Sequence, residues 1–244
     1  MKYYLIIPAR FKSKRLPGKP LKDICGIPMI IRTFEQCEKI IDRKKIIVAT
    51  DNKKIKNLCE KYKIQVIMTS SKCLTGTDRV AEVAKKLRAD FYLNVQGDEP
   101  LCNPLDIKKI LLSAKKYPNS IINGYTSIKN KNEFFSPNIP KVIFRNNGNL
   151  LYQSRAPIPT TKKKKFIKAW RQVCIYSLPH KSLMMFEQQK KKTTIENIED
   201  LELLRFLELG FEVKMIKMSN VSVSVDTINS LNLVRKILRK KKKI

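Results

Sequence analysis

The chain has 244 residues, 43% of them hydrophobic, enough for one large domain or one domain with an insert, so global disorder is disfavoured. Lys and Arg number 51 against 21 Asp and Glu, and a charge of +30 on its own favours a nucleic-acid or membrane-surface partner. Only twelve of those cations are Arg, however, and the lysines are spread over nearly every predicted helix, which fits a lysine-rich enzyme surface better than a reader built on Arg forks. The six cysteines (Cys25, Cys37, Cys59, Cys73, Cys102 and Cys174) form no Cys-x-x-Cys pair and His180 is the one histidine, which argues against a zinc site and a disulfide scaffold. No stretch is long enough for a membrane span and the apolar start lacks a signal-peptide h-region, so the expected setting is cytoplasmic, soluble and reduced.

The first element is an apolar strand, Tyr3 to Ile7, which stops at Pro8 and feeds a loop carrying Arg10, Lys12, Lys14, Arg15 and Lys19. Neither Gly-x-x-x-x-Gly-Lys-Ser/Thr nor Gly-x-Gly-x-x-Gly is present, so an anion there is gripped by side chains rather than by a glycine cradle. Taken alone, the loop reads equally well as solvated surface. Helical spacing over Met29 to Ile41 leads to a strand at 45–49, a helix at 53–62, a strand at 65–68, a helix at 80–87 and a strand at 90–95. This alternation predicts an α/β, doubly wound, mostly parallel sheet, and its near-continuous apolar strands fit burial on both faces.

Four loops are thereby delivered to one edge of the sheet, at 9–19, 50–52, 69–79 and 96–100. Beyond them the pattern predicts a helix at 104–116, a strand at 120–128 and a hairpin of 141–144 with 150–153. A Pro- and Lys-rich loop precedes a strand at 169–176. The segment 130–177 is read as an antiparallel insert, a lid or a dimer contact, within a single domain spanning 1–244. An amphipathic helix at 198–209, a strand at 212–216 and a closing helix at 227–240 complete the chain.

Asp98 ends a buried strand opposite the basic loop, where a magnesium-nucleotide site places a carboxylate, because Mg2+ takes few protein ligands and fills its shell from phosphate and water. Asp226 offers a second carboxylate after the alternating Val221, Val223 and Val225; either Asp also suits an N-cap. Glu196, Glu199 and Glu202 share a helical face, facing a substrate or paired to lysines. His180 and Ser13 lack the context of catalytic groups.

Ile-Pro-Ala-Arg-Phe-x-Ser-x-Arg-Leu-Pro-Gly-Lys-Pro-Leu beginning at Ile7, Ala-Thr-Asp at 49–51, Thr-Gly-Thr-Asp-Arg at 75–79 and Val-Gln-Gly-Asp-Glu-Pro at 95–100 together resemble the 3-deoxy-manno-octulosonate (Kdo) cytidylyltransferases. Later segments agree in order, including Leu-Tyr-x-Ser-Arg-Ala-x-Ile-Pro at 151–159, Glu-Asn-Ile-Glu-x-Leu-Glu-x-Leu-Arg at 196–205 and Val-Asp-Thr at 225–227. The resemblance implies a Rossmann-like nucleotidyltransferase fold, a homodimer, and transfer of CMP from CTP to Kdo with release of pyrophosphate, which activates Kdo for lipopolysaccharide synthesis.

It also implies site roles. Arg10 and Lys19 would grip the CTP phosphates with Arg15 close by, Pro8 and Ala9 would approach the cytosine, and Asp98 and Asp226 would hold Mg2+. Arg79 and Gln96 would position nucleotide and sugar, while Arg155, Gln172, Tyr176, Glu196 and Glu199 would face the sugar acid. Gln172 stands where the family typically has histidine, which leaves an 8-amino-Kdo or a nonulosonic acid as an alternative sugar. A basic nucleic-acid-binding module is the reading from another class; converging acids at Asp98 and Asp226 argue against it.

Overall fold

The opening run forms strand β1 (Tyr3–Ala9), and the chain continues through a two-residue hairpin, β2 (Asp23–Ile24) and β3 (Ile27–Pro28), into α1 (Met29–Glu38). Next come β4 (Ile46–Thr50), α2 (Lys53–Lys61), β5 (Gln65–Met68), α3 (Gly76–Lys86), β6 (Phe91–Val95), α4 (Pro104–Lys116) and β7 (Ile121–Ser127). The second half holds α5 (Lys131–Phe135), β8 (Lys141–Phe144), β9 (Leu150–Ser154), β10 (Trp170–Pro179) and α6 (His180–Gln188). It closes with α7 (Thr194–Glu199), α8 (Leu203–Glu208), β11 (Val213–Lys217) and α9 (Ile228–Lys241). This computed structural model describes residues 1–13 and 15–241; Lys14 of the basic loop, and Lys242 and Lys243 of the terminal lysine run, lie outside the described residues.

Among the described residues nine strands share one sheet, with the path β11-β7-β10-β6-β1-β4-β5 and with β8 and β9 branching from β10. β1 pairs in parallel with β4 on one side and β6 on the other. The chain therefore winds outward from β1 to β5 and then returns to β6 on the opposite side of β1. The crevice at the carboxyl ends of β1 and β6 is the topological switch point, where open α/β sheets hold ligands. Side chains alternate as a strand requires: Leu5 and Ile7 enter one core with Ile30, Phe34 and Ile107, while Ile6 enters the other with Val80, Tyr92 and Phe206.

Three expectations need correction. The strand predicted at 169–176 inside an antiparallel insert is the long β10, which lies antiparallel between β6 and β7 in the main sheet. Its middle and carboxyl half are buried almost without break, and only a central position covers both faces of such a strand. The helix predicted at 198–209 is two helices, because Asp200 adopts φ 52° and breaks the ladder between α7 and α8. α5 and α6 arise where no helix was predicted, and residues 219–226, which carry the alternating Val221, Val223 and Val225, form neither strand nor helix.

That segment is nonetheless tied down. Ser219 N donates to both oxygens of Asp106 at 3.0 Å, and Val225 N donates to Asp98 O at 2.9 Å. Val225 packs with Leu16, Ile24, Met29 and Leu101, joined by Leu231 and Val234 of α9, so the chain's end is pressed against the basic loop.

At the switch point Gly97 N donates to Pro8 O at 3.3 Å, and a Cβ built on Gly97 would lie 2.8 Å from that same oxygen. The oxygen is backbone and cannot swing away. Gly97→Ala is expected to lower stability by about 1–3 kcal/mol, the usual cost of overpacking, read as a fall in the thermal midpoint.

Candidate functional site

The basic loop leaves the end of β1 and returns through Gly18, whose φ of 65° suits glycine, into a short 3-10 turn that starts at Lys19. This turn carries the Lys19 ammonium between two carboxylates. It bonds to Asp98, and it donates to Asp226 Oδ1 at 3.0 Å. Arg15 reaches the same Asp226 oxygen at 3.1 Å and donates through its other nitrogen to Asn138 at 2.8 Å. Burial alone would lower the Lys19 pKa, but the charges of Asp98 and Asp226 outweigh it and hold the ammonium above its ordinary value. Arg10 is exposed at the end of β1.

The acids are organised one residue further on. Glu99 is fully buried and accepts a hydrogen bond from Ser222 Oγ; burial, reinforced by the Asp98 charge, pushes its pKa up to about 7. Among the described residues no three His, Cys, Asp or Glu side chains cluster as a metal site. The two carboxylates that do meet are hard oxygen donors already gathered around one cation, the Lys19 ammonium, and a pair of carboxylates completed by phosphate and water is the usual donor set for Mg2+. The donor set fits that ion.

Arg79, expected beside the nucleotide, is instead buried and spent on protein: it donates to Thr69 Oγ1 at 2.5 Å, Ser70 O at 3.2 Å and Asp51 Oδ2 at 3.2 Å. Asp51 Oδ1 accepts from Phe11 N at 3.3 Å, so Arg79 steadies the basic loop through Asp51. A carboxylate at the end of β4 and an arginine on α3 were both legible as strand-end polar residues; their pairing was not.

Gln96 follows β6 on the α3 side. Its Nε2 donates to Glu202 Oε1 at 3.1 Å, and Glu202 Oε2 accepts from Thr77 N at 3.0 Å in the first turn of α3. Burial raises the Glu202 pKa. Glu202 is thus the acid of the Glu196, Glu199, Glu202 series that meets Gln96, and the break at Asp200 means that the three do not share the single helical face their spacing suggested.

Glu196 was expected to face the sugar acid and does not. It is fully buried and forms a two-point ion pair with Arg205, Nε to Oε2 at 2.6 Å and Nη2 to Oε1 at 2.8 Å. Arg205 also donates to Asp78 Oδ1 at 2.9 Å, and Asp78 closes the capping box of α3 with Thr75. This trio, with Glu196 and Arg205 fully buried, clamps α7 and α8 to the start of α3. Arg155 is likewise engaged with backbone: Nε to Glu199 O at 2.6 Å, Nη1 to Pro137 O at 2.9 Å and Nη2 to Asp200 O at 3.0 Å. Glu199 accepts from Ser154 Oγ at 2.5 Å and Arg155 N at 2.8 Å, fastening α7 to β9. Gln172 and Tyr176 lie buried on β10, with Gln172 Nε2 donating to Tyr176 Oη at 3.1 Å; burial holds the Tyr176 phenol well above its usual pKa.

A cation-rich loop and two acids gathered at the strand-end switch point suit a nucleotidyltransferase. The family model described as "Cytidylyltransferase" matches residues 4–217. The 3-deoxy-manno-octulosonate cytidylyltransferase of Chlorobium limicola is 35% identical over 244 residues, covering 98% of each chain. The 8-amino-3,8-dideoxy-manno-octulosonate cytidylyltransferase of Shewanella halifaxensis is 34% identical over 238 residues, covering 96% of this chain and 97% of its own. A solved structure of CMP:2-keto-3-deoxy-manno-octonic acid synthetase complexed with CTP superposes with a TM-score of 0.91 at 32% identity, covering 99% of this chain and 100% of that one. The chain belongs to the 3-deoxy-manno-octulosonate cytidylyltransferase family.

Two outcomes follow from the buried acids. Glu196→Gln leaves the Arg205 charge short of its partner and is expected to destabilise the fold by about 3 kcal/mol, read by denaturant unfolding, with the KM for any sugar substrate unchanged in the folded protein. Because the Glu99 pKa lies above its ordinary value of 4.5, the native state binds more protons than the unfolded chain from there to about pH 7, and stability falls as pH rises through that window. In metal-free protein, Glu99→Gln is expected to flatten this part of the stability profile from pH 5 to 7.5.

Proposed function

We propose that the enzyme transfers CMP from CTP to 3-deoxy-D-manno-octulosonate, releasing pyrophosphate, in the cytoplasm and as a homodimer, to supply activated sugar for lipopolysaccharide assembly. The observation that carries this reading is the meeting of Lys19, Asp98 and Asp226 at the carboxyl ends of β1 and β6. The same reading gives the sheet switch point to the nucleotide and the neighbouring β9, β10 and α8 surface to the sugar acid. Among the described residues no helix is long and apolar enough to cross a membrane, in keeping with soluble substrates.

The sugar's anomeric hydroxyl attacks the α-phosphorus of CTP while the bond to pyrophosphate breaks on the opposite side. No protein nucleophile takes part. Catalysis then rests on alignment and on neutralising the charge that builds on the phosphate oxygens. Arg10, Arg15 and Lys19 hold the triphosphate, and the backbone of Pro8 and Ala9 lies where the base approaches. Bound Mg2+, held by Asp98 and Asp226, would add charge neutralisation at the phosphates. With the carboxylates given to the metal, Lys19, which bonds to both of them here, would be available to phosphate oxygens. Gln96 and Glu202 line the boundary between nucleotide and sugar.

Pyrophosphate release is expected with CTP and Kdo in the presence of Mg2+ and not with ATP, GTP or UTP at equal concentration. Asp98→Asn and Asp226→Asn are each expected to reduce kcat by 100-fold or more, a loss of roughly 3 kcal/mol of transition-state stabilisation, with the thermal midpoint close to wild type. Wild-type turnover by either variant would remove the metal role from that residue.

A further inference from the structure

The segment that carries Asp226 to the switch point starts at the far edge of the sheet, and its course can be followed contact by contact. β11 runs parallel to β7, and β7 and β6 both run antiparallel to β10, so β11 ends on the same edge of the sheet as β6 and β1. From there the chain must cross β7 and β10 to reach β6. Met218 N donates to Tyr125 O of β7 at 2.7 Å, and Asn220 Nδ2 donates to Ser127 O at the end of the same strand at 3.3 Å. Arg171 holds the middle of the crossing. Because β10 is antiparallel, its first residues lie on the edge where β7 and β6 finish, and Arg171 Nη2 donates there to Asn220 Oδ1 at 3.0 Å and Ser222 O at 3.2 Å. Past β6, Ser222 Oγ donates to Glu99 and Val225 N to Asp98 O.

Length does not dictate this course. Neighbouring strands lie about 4.8 Å apart, so the three steps from β11 to β6 span roughly 14 Å, whereas the eight residues 219–226 can reach roughly 28 Å. Where Asp226 comes to rest is therefore left to the side chains that hold the segment down. We infer that Arg171 is a positioning residue for the metal-side acid: by pinning residues 220 and 222 it sets Asp226 beside Asp98. The assignment rests on the proposal that Asp98 and Asp226 hold Mg2+, and it adds the residue that keeps the second carboxylate in place. Charge alone makes the opposite demand. Ser222 gives its carbonyl to Arg171 and its hydroxyl to Glu99, so the guanidinium lies close to the acids, and removing it would by Coulomb's law strengthen cation binding.

The test uses that difference in sign. Calorimetry of CTP binding without sugar, once with Mn2+ and once with EDTA, gives the ratio by which metal tightens the nucleotide in wild type, Arg171→Met, Arg171→Lys and Asn220→Ala. Arg171→Met, which keeps the packed stem and loses both contacts, is expected to lower this ratio about fivefold, the scale of one lost hydrogen bond, with affinity for metal-free CTP within twofold. Arg171→Lys should recover part of the loss, and Asn220→Ala, which keeps the charge and removes one of the two contacts, should fall in the same direction. Hydrogen exchange of the Val225 amide should quicken in Arg171→Met and Asn220→Ala while the thermal midpoint stays close to wild type. A ratio that is unchanged or raised in both variants overturns the assignment alone, even where exchange quickens. A wild-type ratio of one, with Mn2+ failing to tighten CTP at all, overturns the metal reading beneath it and the assignment together.

Discussion

The ammonium of Lys19 between Asp98 and Asp226 is the contact on which the candidate site at the switch point depends. Its partners lie 79 and 207 residues away along the chain, so it closes the sheet's switch point with its last helix. Two carboxylates this close repel each other, and only a cation between them makes the arrangement stable. Burial opposes the charge on Lys19, yet the paired acids prevail, which is why the ammonium stays in place at the mouth of a partly buried crevice. A site that gathers acids around one cation is suited to exchanging that cation for a metal and turning the lysine to phosphate.

The remaining architecture holds this contact in register. Leu16, Ile24 and Met29 pack with Val225, Leu231 and Val234, pressing Asp226 toward the loop that bears Lys19. Asp106 and Asp98 grip the backbone of the segment that precedes Asp226, and Arg79 grips the loop's other side through Asp51. On the sugar side the fastening is different. Arg205, fully buried over the Phe186 ring, joins Glu196 and Asp78, and this ionic clamp fixes the helix starts at which Glu202 accepts from both Thr77 N and Gln96 Nε2. The floor beyond is neutral: Gln153, Gln172, Asn123 and Tyr176 exchange hydrogen bonds without a charge among them.

The amide floor also bears on the residue at 172. Gln172, which the resemblance places toward the sugar acid, donates to Asn123 and Tyr176. Lys141 is fully buried and donates to Ser136 O at 2.8 Å and Arg155 O at 2.6 Å, joining the loops that follow α5 and β9, and burial lowers its pKa to about 8.

What the sequence determined by itself was the alternation of apolar strands with amphipathic helices, and the polar loops those strands deliver to one edge. Such patterns are local, because a strand buried on both faces must be apolar throughout and a helix must turn one face inward. The basic loop and the acids of 98 and 226 were legible for the same reason: each sits where an apolar run stops. Tertiary structure alone decided the pairings. It put β10 in the main sheet, broke the helix at Asp200, turned Glu196 inward to Arg205 and left Glu202 at the site. Partners separated by a hundred residues leave no trace in spacing, since their meeting depends on the order of strands in the sheet and not on any period along the chain.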